Sequence, residues 1–198
     1  MLFRSLMGDF RRKYPAIQIQ CDLLGRSQNI LKGDYDIYFD ISANLPSSAV
    51  AIRIDEFDMK LFASAKYLRE NGFPKNLEDL VNHQLLSFSP GRTPITYWEL
   101  TSEAQEQKVK IDINPGMVSN QPYAIKTAML DDQGIALMPS VLMKAEVEDG
   151  ELVNLFPDWH VPGLGVYMIY QKQKVRSPKV KPFVSFVKSE FNKYRHDF

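Results

Sequence analysis

The stretch Val118-Ser-Asn-Gln-Pro-Tyr-Ala-Ile-Lys-Thr-Ala-Met-Leu-Asp-Asp-Gln-Gly-Ile-Ala-Leu-Met-Pro-Ser140 reads as a strand end, a helix, a tight turn, a buried strand and the start of a second helix. Ser119 and Asn120 can accept bonds from the amides that open a helix, and Pro122 suits a first turn, where no donor is needed. Tyr123, Ile125, Ala128, Met129 and Leu130 give a mostly apolar helix of about three turns. Asp131-Asp132-Gln133 stops it, and Gly134 is free to take a left-handed conformation there. Ile135-Ala-Leu-Met138 is a short apolar run of the kind buried in parallel sheets, closed by Pro139. Such a unit sets a helix start beside the carboxyl end of a strand, where open α/β sheets hold small and often anionic ligands.

The remaining sequence supplies the frame. Leu2, Phe3, Leu6, Met7, Phe10 and Tyr14 form one helical stripe, ended by Pro15. Ile17 to Leu23 alternates with period two and predicts a strand, which would make Cys21 a buried, inert thiol. Gly25 to Leu31 predicts a short helix and Tyr35 to Phe39 a strand, with a loop over 43–48. Val50 to Ile54 and Lys60 to Ala63 predict two strands separated by Asp55-Glu-Phe-Asp58. Helices follow over 64–72 and 76–83, the second capped by Asn76, then a buried strand to Phe88. Tyr97 to Leu100 and Lys108 to Ile113 predict a pair of exposed strands. Beyond Pro139 come a helix to Glu148, strands at Leu152 to Phe156 and Val166 to Tyr170, a basic segment over 172–181, and a final helix. That helix places Val180, Phe183, Val184, Val187, Phe191 and Tyr194 on one stripe. Helices alternating with short apolar strands predict a mainly parallel α/β architecture.

Composition narrows the function. With 198 residues, 44% apolar and 24% charged, the chain can bury a core as one domain or two lobes. Lys plus Arg and Asp plus Glu both number 24, and a zero net charge argues against unaided gripping of nucleic acid. A lone cysteine fits a reducing compartment, and neither a signal segment nor a membrane span is visible, so a cytoplasmic location is expected. His83, His160 and His196 lack metal-site spacing, Gly163-x-Gly165 lacks a dinucleotide fingerprint, and there is no nucleophile elbow or phosphate loop. No metal, cofactor or catalysis is expected.

Five segments occur in an order that carries a resemblance: DFRRKYPAIQIQ (9–20), ILKGDYDIYF (30–39), LFASAKYLRENGFPKNLEDLVNHQLL (61–86), DDQGIALMPS (131–140) and DGELVNLFPDW (149–159). Together they resemble the effector-binding domain of LysR-type bacterial transcriptional regulators. The resemblance implies an α/β fold of the type II periplasmic-binding-protein kind, with two lobes joined by two crossing strands. Lobe I would comprise 1–62 and 167–198, and lobe II 63–166. It also implies a winged helix-turn-helix and linker helix, absent from this chain, in a longer parent protein. In such regulators a small molecule binds in the interlobe cleft, an organic acid being the class expected here, DNA is reached only through the absent domain, and no membrane is involved. The first helix would support a dimer or tetramer through Phe3, Met7 and Phe10, with plain intradomain core as the alternative.

Loops after strands and the crossing strands nominate the effector contacts. These are Asp40 and Ile41, Ala63 and Ser64, Ser87, Phe88 and Ser89, Ser119, Asn120 and Gln121, with Met138 and Pro139 as a wall. Each could equally be a cap, turn or strand end. An exported solute-binding protein of the same fold stays open as an alternative. So does a regulator whose cleft is filled by side chains and responds to pH or a protein partner.

Overall fold

The computed structural model describes residues 2–22, 35–41, 48–89 and 95–194. Two long strands, β2 (Ala49–Ser64) and β9 (Val161–Gln171), carry the chain between two compact units. The first unit comprises Met1–Glu56 with Gly165–Phe198, and the second Phe57–Leu164. The chain therefore changes unit after Glu56 and after Leu164, earlier in both strands than the sequence suggests. The Asp55–Asp58 segment does not interrupt β2, because its charges are matched along the strand. Glu56 is ion-paired with Arg53, and Asp58 accepts a bond from the Gly163 amide of β9 at 3.1 Å. Two expected strands are thus one.

In the first unit, β1 (Tyr38–Asp40) pairs antiparallel with β9, Phe39 opposite Met168. Helices α1 (Leu2–Lys13) and α5 (Val180–Tyr194) pack together, and their apolar stripes meet in one core. Phe10 is fully buried there, edge-on to Phe183 at 4.9 Å and to Phe186 at 5.4 Å between ring centroids. This corrects its assignment to a dimer surface: Phe10 is spent on the core of its own chain. Met7 is half-buried against the same cluster, and the Phe3 side chain lies outside those described. Residues 17–22 form no strand, although Ile17 and Ile19 do turn to the core while Gln18 and Gln20 face solvent. Alternation selects a face, but a strand also needs a neighbour to pair with, and none is present among the described residues. Cys21 is exposed rather than buried. The segments 25–31 and 43–47 lie outside the described residues.

The second unit is a three-layer sandwich. Its sheet runs β2, β7 (Ile135–Pro139), β3 (Leu85–Phe88), β6 (Met117–Ser119), with β8 (Leu152–Leu155) on the other side of β2. Pairing is parallel between β3 and both β6 and β7, but β2 runs antiparallel to β7 and β8. The sheet is therefore mixed where a mainly parallel one is expected. Alternate residues of each strand feed two cores. Met59, Leu61, Ala63, Leu85, Ile135 and Leu137 face one, which also holds Tyr67 and Leu68 of α2 (Ala65–Asn71) and Leu77 and Leu80 of a 3-10 helix (Leu77–Asn82). Trp98 and Leu100 of the hairpin β4 (Tyr97–Ser102) and β5 (Gln107–Asp112) complete it, so that hairpin buries one face. Phe62, Leu86, Ala136 and Met138 face the other, against α3 (Pro122–Leu130) and α4 (Ser140–Glu148).

Caps end these helices much as their residue types suggest. Asn76 accepts from the Asp79 amide at 2.9 Å, and Gly72 and Gly150 take positive φ after α2 and α4. After α3 it is Asp132, at φ 61°, that turns left-handed. Gly134 is required for a different reason. At φ 145°, a Cβ there would sit 2.3 Å from the Gln84 carbonyl oxygen, which accepts the Ile135 amide at 2.9 Å.

Candidate functional site

Because β3, β6 and β7 are parallel, their carboxyl ends share one edge of the second unit's sheet, and both α3 and α4 begin there. The edge is stitched by backbone and hydroxyl bonds. The Ser89 amide donates to the Ser119 carbonyl at 2.9 Å, and Ser119 Oγ accepts from the Gln121 amide at 3.1 Å. Gln121, not Ser119 or Asn120, is therefore the residue that caps α3, with Pro122 next as expected. Neither Gln121 nor Pro139, the corresponding residue of α4, supplies a side-chain acceptor to its helix, and neither first turn contains an acid. Each start keeps the partial positive charge of its aligned peptides without an acidic side chain of its own to offset it. Ser87 is 1% exposed, and its hydroxyl has no hydrogen-bond partner among the described residues. A buried hydroxyl left in that state is uncommon and calls for a partner.

The strand register sorts the expected contacts. Ser87, Ser89, Ser119, Asn120 and Gln121 gather at this edge, with Asn120 and Gln121 exposed. Met138 does not form a wall, being fully buried in the core beneath α3 and α4, and Pro139 is buried too. Phe88 is half-buried against both cores. Asp40 and Ile41 belong to the first unit, where Asp40 faces Tyr167 across the β1–β9 ladder.

Ala63 and Ser64 lie at the wrong end of β2. Met59 pairs with Pro139 and Phe62 with Ala136, so β2 meets the edge near residue 59 and has run to the opposite side by Ser64. Ala63 is fully buried in the first core. The side chain that antiparallel pairing brings toward the edge instead is Lys60, opposite Met138 and on the α3–α4 face with Phe62. It is half-buried, and its ammonium has no ion pair among the described residues. The sequence signal for it is a cation opening the apolar run Leu61–Ala63.

Ser64 is fully engaged elsewhere. Its hydroxyl accepts the Tyr67 amide at 2.8 Å, capping α2, and donates to Asp132 Oδ1 at 2.6 Å. Lys66 reaches Asp132 Oδ2 at 2.7 Å. The bonds from Lys66 and then Ser64 hold the Asp132 carboxyl below its ordinary range, and Asp132 raises Lys66 in turn. The Ser64→Ala variant should lose about 0.5–2 kcal/mol of stability in chemical denaturation, the usual worth of such a cap. A folded-state value below the unfolded one means that Asp132 stabilises above its unfolded pKa, and this is lost as pH falls through the folded one. The gap between wild type and variant should therefore narrow in acid.

A second link joins the two helices that start at the edge. Lys126 of α3 donates to the Leu142 carbonyl at 2.9 Å and is ion-paired with Glu146 of α4, both side chains being largely buried. Burial pushes Glu146 up, but the bond from Lys126, a backbone bond and the attraction of the ammonium together outweigh it and leave the carboxyl below its ordinary range. The described histidines serve structure. Tyr67 Oη accepts the Gln84 amide at 2.9 Å and meets His83 Nδ1 at 3.2 Å, while the His160 backbone bridges Thr101. Among the described residues no group of three or more His, Cys, Asp or Glu could hold a metal, and no helix is long and apolar enough to cross a membrane.

Two α/β units traversed by a pair of long strands make a periplasmic-binding-protein-like architecture, the one shared by the regulatory domains it resembles in space. The LysR substrate binding domain model matches residues 1–192, and the chain belongs to that family. Its members are transcriptional regulators rather than enzymes. An HTH-type transcriptional regulator of Xanthomonas campestris is 27% identical over 190 residues, 94% of this chain and 55% of that protein. An HTH-type transcriptional repressor of Pseudomonas aeruginosa is 29% identical over 186 residues, 93% of this chain and 58% of that one. The chain thus spans a little over half the length of these curated relatives. The full-length Vibrio cholerae virulence activator AphB superposes with a TM-score of 0.81 at 28% identity, over 95% of this chain and 63% of its own. CrgA of Neisseria meningitidis, at 21% identity and TM-score 0.85 over 96% of this chain and 64% of its own, shares the fold.

Proposed function

We propose that this chain is the effector-sensing and self-associating half of a LysR-type transcriptional regulator, whose DNA-binding half is a helix-turn-helix domain of the parent protein. The edge of the second unit would contact a small carboxylate-bearing effector through Ser87, Ser89, Ser119, Asn120 and Gln121, with Lys60 opposite its charge. The observation that carries this reading is the pair of helix starts without acids or side-chain caps at one sheet edge, with an unpaired lysine on the face those helices cover. Such an edge is a place for an anion to complete. Effector binding would then shift the population of domain arrangements that the attached DNA-binding domains sense.

The test is a thermal-shift screen of small organic acids alongside their neutral amides. An acid at about a hundred times its dissociation constant should add about 2.7 kcal/mol, a rise in midpoint of roughly 5–10 °C for a chain of this length. The amide should do far less. Replacing Lys60 by Gln should weaken the acid about tenfold or more, the worth of a charge-assisted bond, while sparing the unliganded midpoint. Equal stabilisation by acid and amide, or none by any acid, would overturn the proposal.

A further inference from the structure

The zero net charge of the chain is a cancellation between its two units. The first unit carries fifteen Lys and Arg against nine Asp and Glu, a formal +6, and the second nine against fifteen, a formal −6. Within the first unit the excess gathers on one continuous segment, the 3-10 helix Lys172–Arg176 followed by α5. Lys172, Arg176, Lys179, Lys181 and Lys188 are all exposed, and none is ion-paired among the described residues. Only Lys174 is neutralised, by Asp36 at 2.9 Å.

The placement opposes helix energetics. Lys179 and Lys181 flank the start of α5, whose first turn has no acid, although that end of a helix favours negative charge. Local choices that oppose the fold's own preferences concentrate where a surface serves something else. The outward face of α5 continues with Lys181, Ser185 and Lys188, spaced as one helical stripe, while Phe183, Phe186 and Val187 fill the core behind it. Ammonium and hydroxyl groups without an intervening carboxylate are the side chains that contact phosphate oxygens.

We infer that this face of the first unit is an auxiliary surface for the phosphate backbone of duplex DNA. It would add sequence-independent grip to the helix-turn-helix domains of the parent, independently of any effector. DNA is favoured over other polyanions because relatives matched along nearly the whole chain are helix-turn-helix regulators, whose sensing domains are carried to DNA.

The test uses this chain, a labelled duplex of scrambled sequence and fluorescence anisotropy. Binding should weaken roughly 150- to 500-fold between about 50 and 200 mM salt, as expected for about four to five phosphate contacts. Changing Lys172, Arg176, Lys179, Lys181 and Lys188 together to Gln should abolish it, with the far-UV spectrum and melting midpoint confirming a folded chain. Changing Arg69 and Lys75 of the acidic unit to Gln should leave binding intact. Three results would overturn the inference: no binding by wild type at low salt, binding by the five-Gln variant equal to wild type, or capture only by anionic phospholipid vesicles. Loss of self-association in the five-Gln variant without duplex binding by wild type would also overturn it, assigning the face to a second copy.

Discussion

The Gly134→Ala variant is expected to lose about 3–5 kcal/mol, a large part of the stability of an ordinary domain. Two costs coincide at this position. The φ of 145° is one that an L side chain rarely adopts, which alone costs about 1–3 kcal/mol. The added methyl would also sit 2.3 Å from the Gln84 carbonyl oxygen and 2.9 Å from its carbon, both rigid backbone atoms. That oxygen accepts the Ile135 amide, and the Gln84 amide donates to the buried Tyr67 hydroxyl, so β3 cannot retreat without breaking the start of β7 and its anchor to α2. Gly72 separates the two costs. It too has positive φ, 87°, but its Cβ would meet nothing within 4 Å. Gly72→Ala should cost about 1 kcal/mol. Denaturant titrations giving both variants the same loss would show that the close approach of β3 and β7 does not decide the matter.

Phe10→Ala is expected to cost about 3–5 kcal/mol, because it empties the centre of the first unit's core. The ring is fully buried between Phe183 and Phe186 of α5 and also contacts Tyr14 just beyond α1, so neighbours on both sides of the core lose packing. The measurement that checks it is the unfolding free energy at several protein concentrations. A loss independent of concentration is the result expected of a core residue. Were Phe10 instead a dimer contact, the variant would unfold like wild type when dilute and differ only through its dissociation constant.

Much of the secondary structure was legible because its causes are local. Asn76 as a cap, the helix ends near 72 and 148, and the stripe of α5 are read from neighbours within one or two turns. The family was legible for another reason: several weak segments in fixed order constrain one another. What failed depended on partners distant in sequence. Residues 17–22 alternate as a strand does but pair with nothing among the described residues. The Asp55–Asp58 run looks like a turn until Arg53 and the Gly163 amide are seen to meet its carboxylates. Gly134 was chosen correctly as a special glycine but for the wrong reason, since its obstacle is Gln84, fifty residues earlier in the chain.

The site shows the same division. Its serines and the start of α3 follow from the strand–helix pattern of 118–140. Ser64 was misplaced because a sequence read without pairing cannot tell which end of an antiparallel strand reaches which edge. Once Met59 is set opposite Pro139, Lys60 falls near the edge where α3 and α4 begin and Ser64 falls toward the opposite one. Likewise a net charge of zero hid two units of opposite sign, visible only after the chain is divided at Glu56 and Leu164.

The most direct test of the effector site is amide hydrogen exchange on this chain, with and without the strongest organic acid found by thermal shift. Binding at the edge predicts slowed exchange at 87–89, 119–125 and 140–143, where the ends of β3 and β6 and the starts of α3 and α4 lie, with the slowing diminished in Lys60→Gln. Protection confined to the opposite edge around Ser64 and Asp132, or to segments of the first unit alone, would contradict it.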